Sequence, residues 1–224
     1  MVSRLEPAEG VRWLDVATGT GAVAIRAAQA GAEVVGIDIA PGMIEGARAN
    51  AAGLPIGFEV GDAQALPYEE ASFDVVTSVF GAIFAPDHRA TAAELGRVGR
   101  GRLGLTAWRP DEGLTELYGR FGFEVPEGRE VFRWGREDYV EELLGPYYEL
   151  SIESGAWVQE GASGEEIWDL WSRAAPPFKA RVAEMSDDTR EAFHKAYVEY
   201  CEKFRAGDGV AVPREYLLIL GERR

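Results

Sequence analysis

Sulfur, imidazole and positive charge are all scarce in this chain, and each shortage removes a class of function. A single cysteine, Cys201, among 224 residues leaves no intrachain disulfide framework. Its neighbours Tyr197, Tyr200 and Phe204 recur at helical spacing, which makes Cys201 a buried inert thiol rather than a nucleophile. With two histidines and one thiol, neither a metal-ligating cluster nor a nucleophile–base pair is visible. Lysine and arginine number 23 against 38 acids, a formal net charge of −15. Nucleic acid and anionic membranes both demand a basic surface that replaces counterions, so neither is expected as a partner. No apolar run approaches membrane-spanning length, and Met1 to Gly10 lacks the apolar centre of a signal peptide. A cytoplasmic protein is the expectation.

What is present is ample apolar material, 46% of the chain, enough for the core of one large domain. The first half alternates short apolar runs with helical patterns. Val11–Val16, Glu33–Ile37, Ile56–Val60, Phe73–Val79 and Arg102–Trp108 read as strands. Gly19–Ala30, a stretch from Pro41 to Ala51 and another from about Asp87 to Val98 read as the intervening helices, with Pro41 suited to a first helical position. Such alternation argues for parallel βαβ units, a sheet covered by helices on both faces.

The second half changes character. Tyr147–Val158 reads as a long strand and Tyr216–Leu220 as a last one. Between them, Ser163-Gly164-Glu165-Glu166 has the form of a capping box ahead of Ile167, Leu170, Trp171 and Ala174. Pro176-Pro177 breaks that helix. Ser186-Asp187-Asp188 opens a second, with Phe193, Ala196, Tyr197, Tyr200 and Phe204 as its stripe and Gly207 and Gly209 as its end. The expected fold is therefore α/β and Rossmann-like. Its seven-stranded, mostly parallel sheet ends in an antiparallel strand, and a helical cap of residues 161–208 is inserted between the last two strands. The whole of 1–224 is expected to work as one domain.

Chemistry concentrates at the ends of the first four strands. Leu14-Asp15-Val16-Ala17-Thr18-Gly19-Thr20-Gly21 is a glycine-rich turn that lets a ligand approach the backbone, followed by the free N–H groups of a helix. Alone it is ambiguous, since Gly19 to Ala24 satisfies a relaxed dinucleotide fingerprint. Three acids add information. Asp15 would repel a pyrophosphate but welcome a cationic group. Asp38 ends the second strand, where a carboxylate can accept both ribose hydroxyls, as a nicotinamide dinucleotide would also require. Asp62, in Gly61-Asp62-Ala63, can accept from an adenine amino group.

In order and spacing, Asp15–Gly21, Asp38-Ile39-Ala40-Pro41-Gly42-Met43, Gly61-Asp62-Ala63 and Phe73-Asp74-Val75-Val76 resemble the class I S-adenosylmethionine (SAM)-dependent methyltransferases. The nearest likeness is the small-molecule group that includes the ubiquinone/menaquinone C-methyltransferases, over roughly residues 11–108. Trp134-Gly135 through Val212-Pro213-Arg214-Glu215-Tyr216 resembles a less characterised bacterial branch. The resemblance implies SAM as cofactor and a small-molecule O, N or C nucleophile as acceptor, methylated by in-line displacement in a monomer or homodimer. It places the methionine moiety on Asp15, Ala17, Thr18, Gly19, Thr20 and Gly21, and the ribose on Asp38. The adenine would pack on Ile39 and Met43 and be read by Asp62 and Ala63 beside Gly61. Ser78 and Phe80 would line the methyl-donor site.

There are departures from the family. Ala17 replaces the usual first glycine. The customary Arg-Pro-Gly-Gly turn is Arg97-Val98-Gly99-Arg100-Gly101-Arg102, about two residues short, which bears on stability more than activity. Only about ten residues precede the first strand, where relatives carry closing helices. Either the sequence starts late or the cap does the closing, over the substrate side.

Phe84 and Trp108 are candidate substrate contacts beside the fourth and fifth strands. Trp168 and Trp171, with Phe178 and Tyr197, either form a substrate wall or pack the cap. His88 is the candidate general base, though a capping or packing role is the stronger reading, and His194 reads as solvated. Two other classes stay open: an NAD(P)-dependent oxidoreductase on a similar sheet, disfavoured by Asp15 and Asp62, and a SAM-binding protein without methyl transfer.

Overall fold

The computed structural model of the protein describes residues 1–122, 131–174 and 176–224. Its first half is built by strands whose side chains alternate between two apolar layers. In β1 (Arg12–Val16), Trp13 joins one buried cluster while Leu14 and Val16 join the other. Val34 of β2 (Glu33–Asp38) and Val75 of β4 (Phe73–Val79) share the layer of Trp13, and Ile37 and Val76 that of Leu14. The Trp13 layer is closed by α1 (Ala22–Gln29) through Ala24 and Ala27, and by α2 (Pro41–Asn50) through Ile44 and Ala47. The opposite layer is closed by α3 (His88–Val98) through Ala92, Leu95 and Val98. A period of two in a sheet covered on both sides turns each strand into a nearly unbroken apolar run.

Strands β3 (Gly57–Val60), β2, β1, β4 and β5 (Gly99–Trp108) lie side by side and parallel. The sheet continues through α4 (Glu112–Arg120) and α5 (Glu137–Leu144) in the chain to β6 (Tyr148–Gly161). Then come α6 (Gly164–Ala174), α7 (Pro176–Ala183), α8 (Asp187–Glu202), the two-residue β7 (Arg205–Ala206) and β8 (Gly209–Arg223). Strand order is β3-β2-β1-β4-β5-β8-β6, with β7 paired to β8, and β8 runs antiparallel to β5.

Several expectations need correction. Among the described residues the sheet has eight strands rather than seven. The additional one is β7, which forms because the helix stops at Glu202 and Gly207, in the left-handed region at φ 60°, turns the chain back onto β8. Among the described residues the cap helices number three rather than two. Strand β8 begins at Gly209, seven residues before Tyr216, and β5 begins at Gly99 because α3 runs straight into it. That direct passage accounts for the short turn, and Arg97 ties it down through Glu94 and the carbonyls of Tyr68 and Leu66. Helices α4 and α5 were not read from the sequence. In the Ser163 cap, the Ser163 hydroxyl takes the Glu166 amide at 3.3 Å, but the Glu166 carboxylate reaches past Ser163 to the Ala162 amide at 2.6 Å.

The chain divides into two compact units. One comprises Met1–Arg109, Pro126–Gly155 and Tyr216–Arg224 and holds the parallel strands. The other comprises Pro110–Val125 and Ala156–Glu215. Its own core is Leu114 and Leu117 of α4, Ile167 and Trp168 of α6, Phe193, Tyr197, Tyr200 and Cys201 of α8, and Val210 and Val212 of β8. Cys201 is buried there as expected, its thiol pushed up to about 11 by burial.

Candidate active site

The carboxyl ends of β1, β2, β3 and β4 carry the residues singled out above. Asp15 is buried, 2% exposed, near the end of β1. Thr18 donates its hydroxyl to Asp15 Oδ2 at 2.6 Å, and Thr77 of β4 donates to Oδ1 at 2.8 Å. Thr77 in turn accepts the Trp13 indole N–H at 2.9 Å, so a relay of neutral donors holds the carboxylate. Burial pushes the Asp15 carboxyl up to about 6, against the pull of the Thr18 and Thr77 hydrogen bonds and the Ala24 amide. No cation among the described residues pairs with it.

The turn after β1 is folded by left-handed backbone. Ala17, Gly19 and Gly21 have φ of 54°, 55° and 86°. Ala17 thus holds with a side chain the conformation glycine adopts freely, at a steric cost of about 1 kcal/mol. It is pressed by the loop after β4, where a Cβ on Gly81 would fall 2.4 Å from the Ala17 Cβ. At Gly21 a Cβ would meet the Phe58 ring at 3.1 Å.

Asp38 is 9% exposed and knits two loops together. Its Oδ2 accepts the Gly19 amide at 2.8 Å and its Oδ1 the Ala40 amide at 2.9 Å, while its carbonyl accepts the Gly61 amide at 3.0 Å. Two hydrogen-bonded sets, Asp15 with Thr18 and Gly19 with Asp38 and Gly61, are thus joined through the Thr18–Gly19 peptide. Ile39 stands 67% exposed and Met43 is half-buried on α2.

Asp62 is occupied by its own neighbour, since Gln64 gives it both its backbone amide at 2.9 Å and its side-chain amide at 3.0 Å. Gln64 then accepts the Asp87 amide at 2.8 Å, joining the loops after β3 and β4. Ala63 is half-buried beside them.

At the end of β4, Ser78 is fully buried and accepts the Ala82 amide at 2.9 Å, holding the short 3-10 helix Ala82–Phe84. Phe80, at φ 53°, stacks on Trp108 with centroids 3.9 Å apart and planes 10° apart, and its amide donates to Thr106. Tyr216 meets both rings edge-on. Phe84 is 45% exposed. His88 is 2% exposed, shares a 3.0 Å hydrogen bond with the Tyr139 hydroxyl and packs against Trp134, the arrangement of a packing histidine.

In the second unit, Trp168 is 8% exposed and meets Phe178, Phe193 and Tyr197 edge-to-face. Trp171 is half-buried there beneath the Arg214 guanidinium. His194 is bound to Glu165 at 2.6 Å and lies against Trp168.

Sequence reasoning missed Thr77, Gln64, Thr106 and Tyr139, each of which holds a residue it had found. Thr77 did leave a signal, a hydroxyl inside β4 in register with Asp15.

Comparison with known proteins fits this geometry. A methyltransferase-domain family matches residues 14–101, the stretch that carries every loop just described up to the start of β5. The chain belongs to the class I SAM-dependent methyltransferases; it transfers a methyl group from SAM. Over nearly its whole length it is similar to an uncharacterised protein of Mycobacterium tuberculosis, 34% identical over 231 positions that cover 96% of this chain and 82% of the other. Across 107 positions, 44% of each chain, it is 49% identical to a demethylmenaquinone methyltransferase of Deinococcus radiodurans. Its fold is also that of a phosphoethanolamine N-methyltransferase of Haemonchus contortus solved with S-adenosyl-L-methionine. That match has a TM-score of 0.62 and 18% identity, and covers 99% of this chain and 51% of the other. The nicotinamide-dinucleotide reading is thereby set aside. Among the described residues no helix is long and apolar enough to cross a membrane.

Proposed function

We propose that SAM is held at the ends of β1–β4, its methionine end over Asp15 and the backbone of Ala17–Gly21. The observation that carries this assignment is Asp15 itself, a buried carboxylate balanced only by hydroxyls and an amide. An uncompensated negative charge at the ligand loop favours a cationic sulfonium or ammonium and repels a pyrophosphate. Asp38 keeps acceptor capacity beyond its two amide bonds and takes the ribose hydroxyls. Ile39, exposed beside it, and Met43 pack on the adenine. Asp62 and the Ala63 amide read the adenine edge, with the Gln64 side chain yielding its place on Asp62. The Phe80–Trp108 stack walls the acceptor side of the loop, with Phe84 beside it; Ser78 acts by fixing the turn that carries them.

SAM supplies a methyl group on a sulfonium, already a good leaving group, so alignment and a dry site are what this chain must provide. No side chain is assigned as a general base, His88 being committed to its packing partners. The insertion of about residues 161–208 serves the acceptor substrate rather than the cofactor. We place the protein in the cytoplasm, acting as a monomer or homodimer, in line with its single buried thiol.

Replacing Asp38 with alanine is expected to weaken SAM binding by roughly 1.5–3 kcal/mol, the range for hydrogen bonds to a charged group. Calorimetric titration of the folded variant checks it; unchanged affinity removes Asp38 from the site.

A further inference from the structure

The motif Val212-Pro213-Arg214-Glu215-Tyr216 has no role in the cofactor loops, and within the second unit its arginine stands in an unusual setting. Arg214 is only half-buried as a residue, yet its Nε is shielded from water with no acceptor among the described residues. Its Nη2 donates to the Tyr197 hydroxyl at 3.1 Å. No carboxylate among the described residues pairs with it, in contrast to Arg97, Arg136, Arg190 and Arg205, which all do. The nearby acid Asp111 is committed elsewhere, to the Leu114 amide at 2.7 Å and the Tyr200 hydroxyl at 3.0 Å. The guanidinium carbon lies 5.8 Å from the centre of the Trp171 ring, and the Trp171 indole N–H is likewise buried without an acceptor.

Two buried donors side by side, one of them charged, are costly unless an acceptor completes them. A guanidinium fork matches the two oxygens of a carboxylate, and an aromatic wall of Trp171 and Tyr197 suits a flat apolar body behind it. We propose that the second unit binds the carboxylate of an aromatic acid on Arg214 and the Trp171 indole N–H.

The test uses the full chain, with benzoate and its neutral isostere benzamide as probes and tryptophan fluorescence and calorimetry as readouts. Benzoate is expected to bind saturably and at least about tenfold more tightly than benzamide, the least that a charge-assisted hydrogen bond provides. Arg214→Met should erase that preference and leave SAM affinity as it was. Trp171→Phe should reduce the benzoate-dependent fluorescence change. Equal binding of acid and amide, absence of saturable benzoate binding, or a preference that survives Arg214→Met overturns the proposal. Should Arg214→Met not fold, Arg214→Lys keeps the charge and loses the fork, and an unaltered preference in it counts equally against. Failure to bind SAM would instead strike at the cofactor site and leave the benzoate comparison to stand by itself.

Discussion

At Asp15 stability and function pull in opposite directions. Its carboxyl titrates at about 6 in the folded protein against 3.8 as the ordinary value, so the fold holds the protonated form more readily than the charged one. Between those values the folded state binds more protons than the unfolded, and stability falls as pH rises from about 4 to about 6. Above that window the buried charge costs on the order of 3 kcal/mol. Asp15→Asn should therefore melt higher than the parent at pH 8, with the gap closing toward pH 4, while its affinity for SAM drops. Thermal melts across that range test the sign; a variant less stable at pH 8 would show that the Thr18 and Thr77 hydrogen bonds outweigh burial.

The elements divide by what each rests on. Aromatic packing organises the core of the second unit. Trp168, in edge-to-face contact with Phe178, Phe193 and Tyr197, should cost roughly 3–5 kcal/mol when cut to alanine, read as a lower midpoint in urea. Helices such as α8 were visible beforehand, because Ser186 does cap Thr189 and the stripe from Phe193 to Tyr200 is buried. The strands β1, β2 and β4 were visible because a sheet covered on both faces leaves apolar runs that nothing else explains. Helix α4 was hidden, since only Leu114 and Leu117 of its nine residues are buried and its cap, Asp111, looked like any loop acid. The far ends of β8 escaped for a related reason: its inward positions alternate with Arg214, Glu215 and Glu222, so only the apolar middle stood out. In the site, the acids were legible from position along the strands, whereas their partners were not. Thr77 and Gln64 meet Asp15 and Asp62 through strand register and loop shape, which a linear pattern does not encode.

For the molecule as a whole, the net charge of −15 acts on every element at once. Like charges on a compact body repel, and dissolved ions screen them over about 10 Å at 0.1 M ionic strength. Raising sodium chloride from near zero to about 0.15 M should increase the melting temperature, despite weakening exposed pairs such as Arg4–Glu153 and Arg102–Glu6. A melting temperature that falls over that interval would mean such pairs matter more than the overall repulsion.

The carboxyl at the end of β1 has one more consequence, for the heat of binding. A cationic ligand placed over Asp15 favours its ionised form, so near pH 6 each binding event expels a fraction of a proton into the solvent. The buffer takes that proton up with its own enthalpy. Titrations of SAM at pH 6 in two buffers of different ionisation heat should therefore give different apparent enthalpies, converging at pH 8 where the group is already charged. The slope of one against the other counts the protons released, and Asp15→Asn should flatten it.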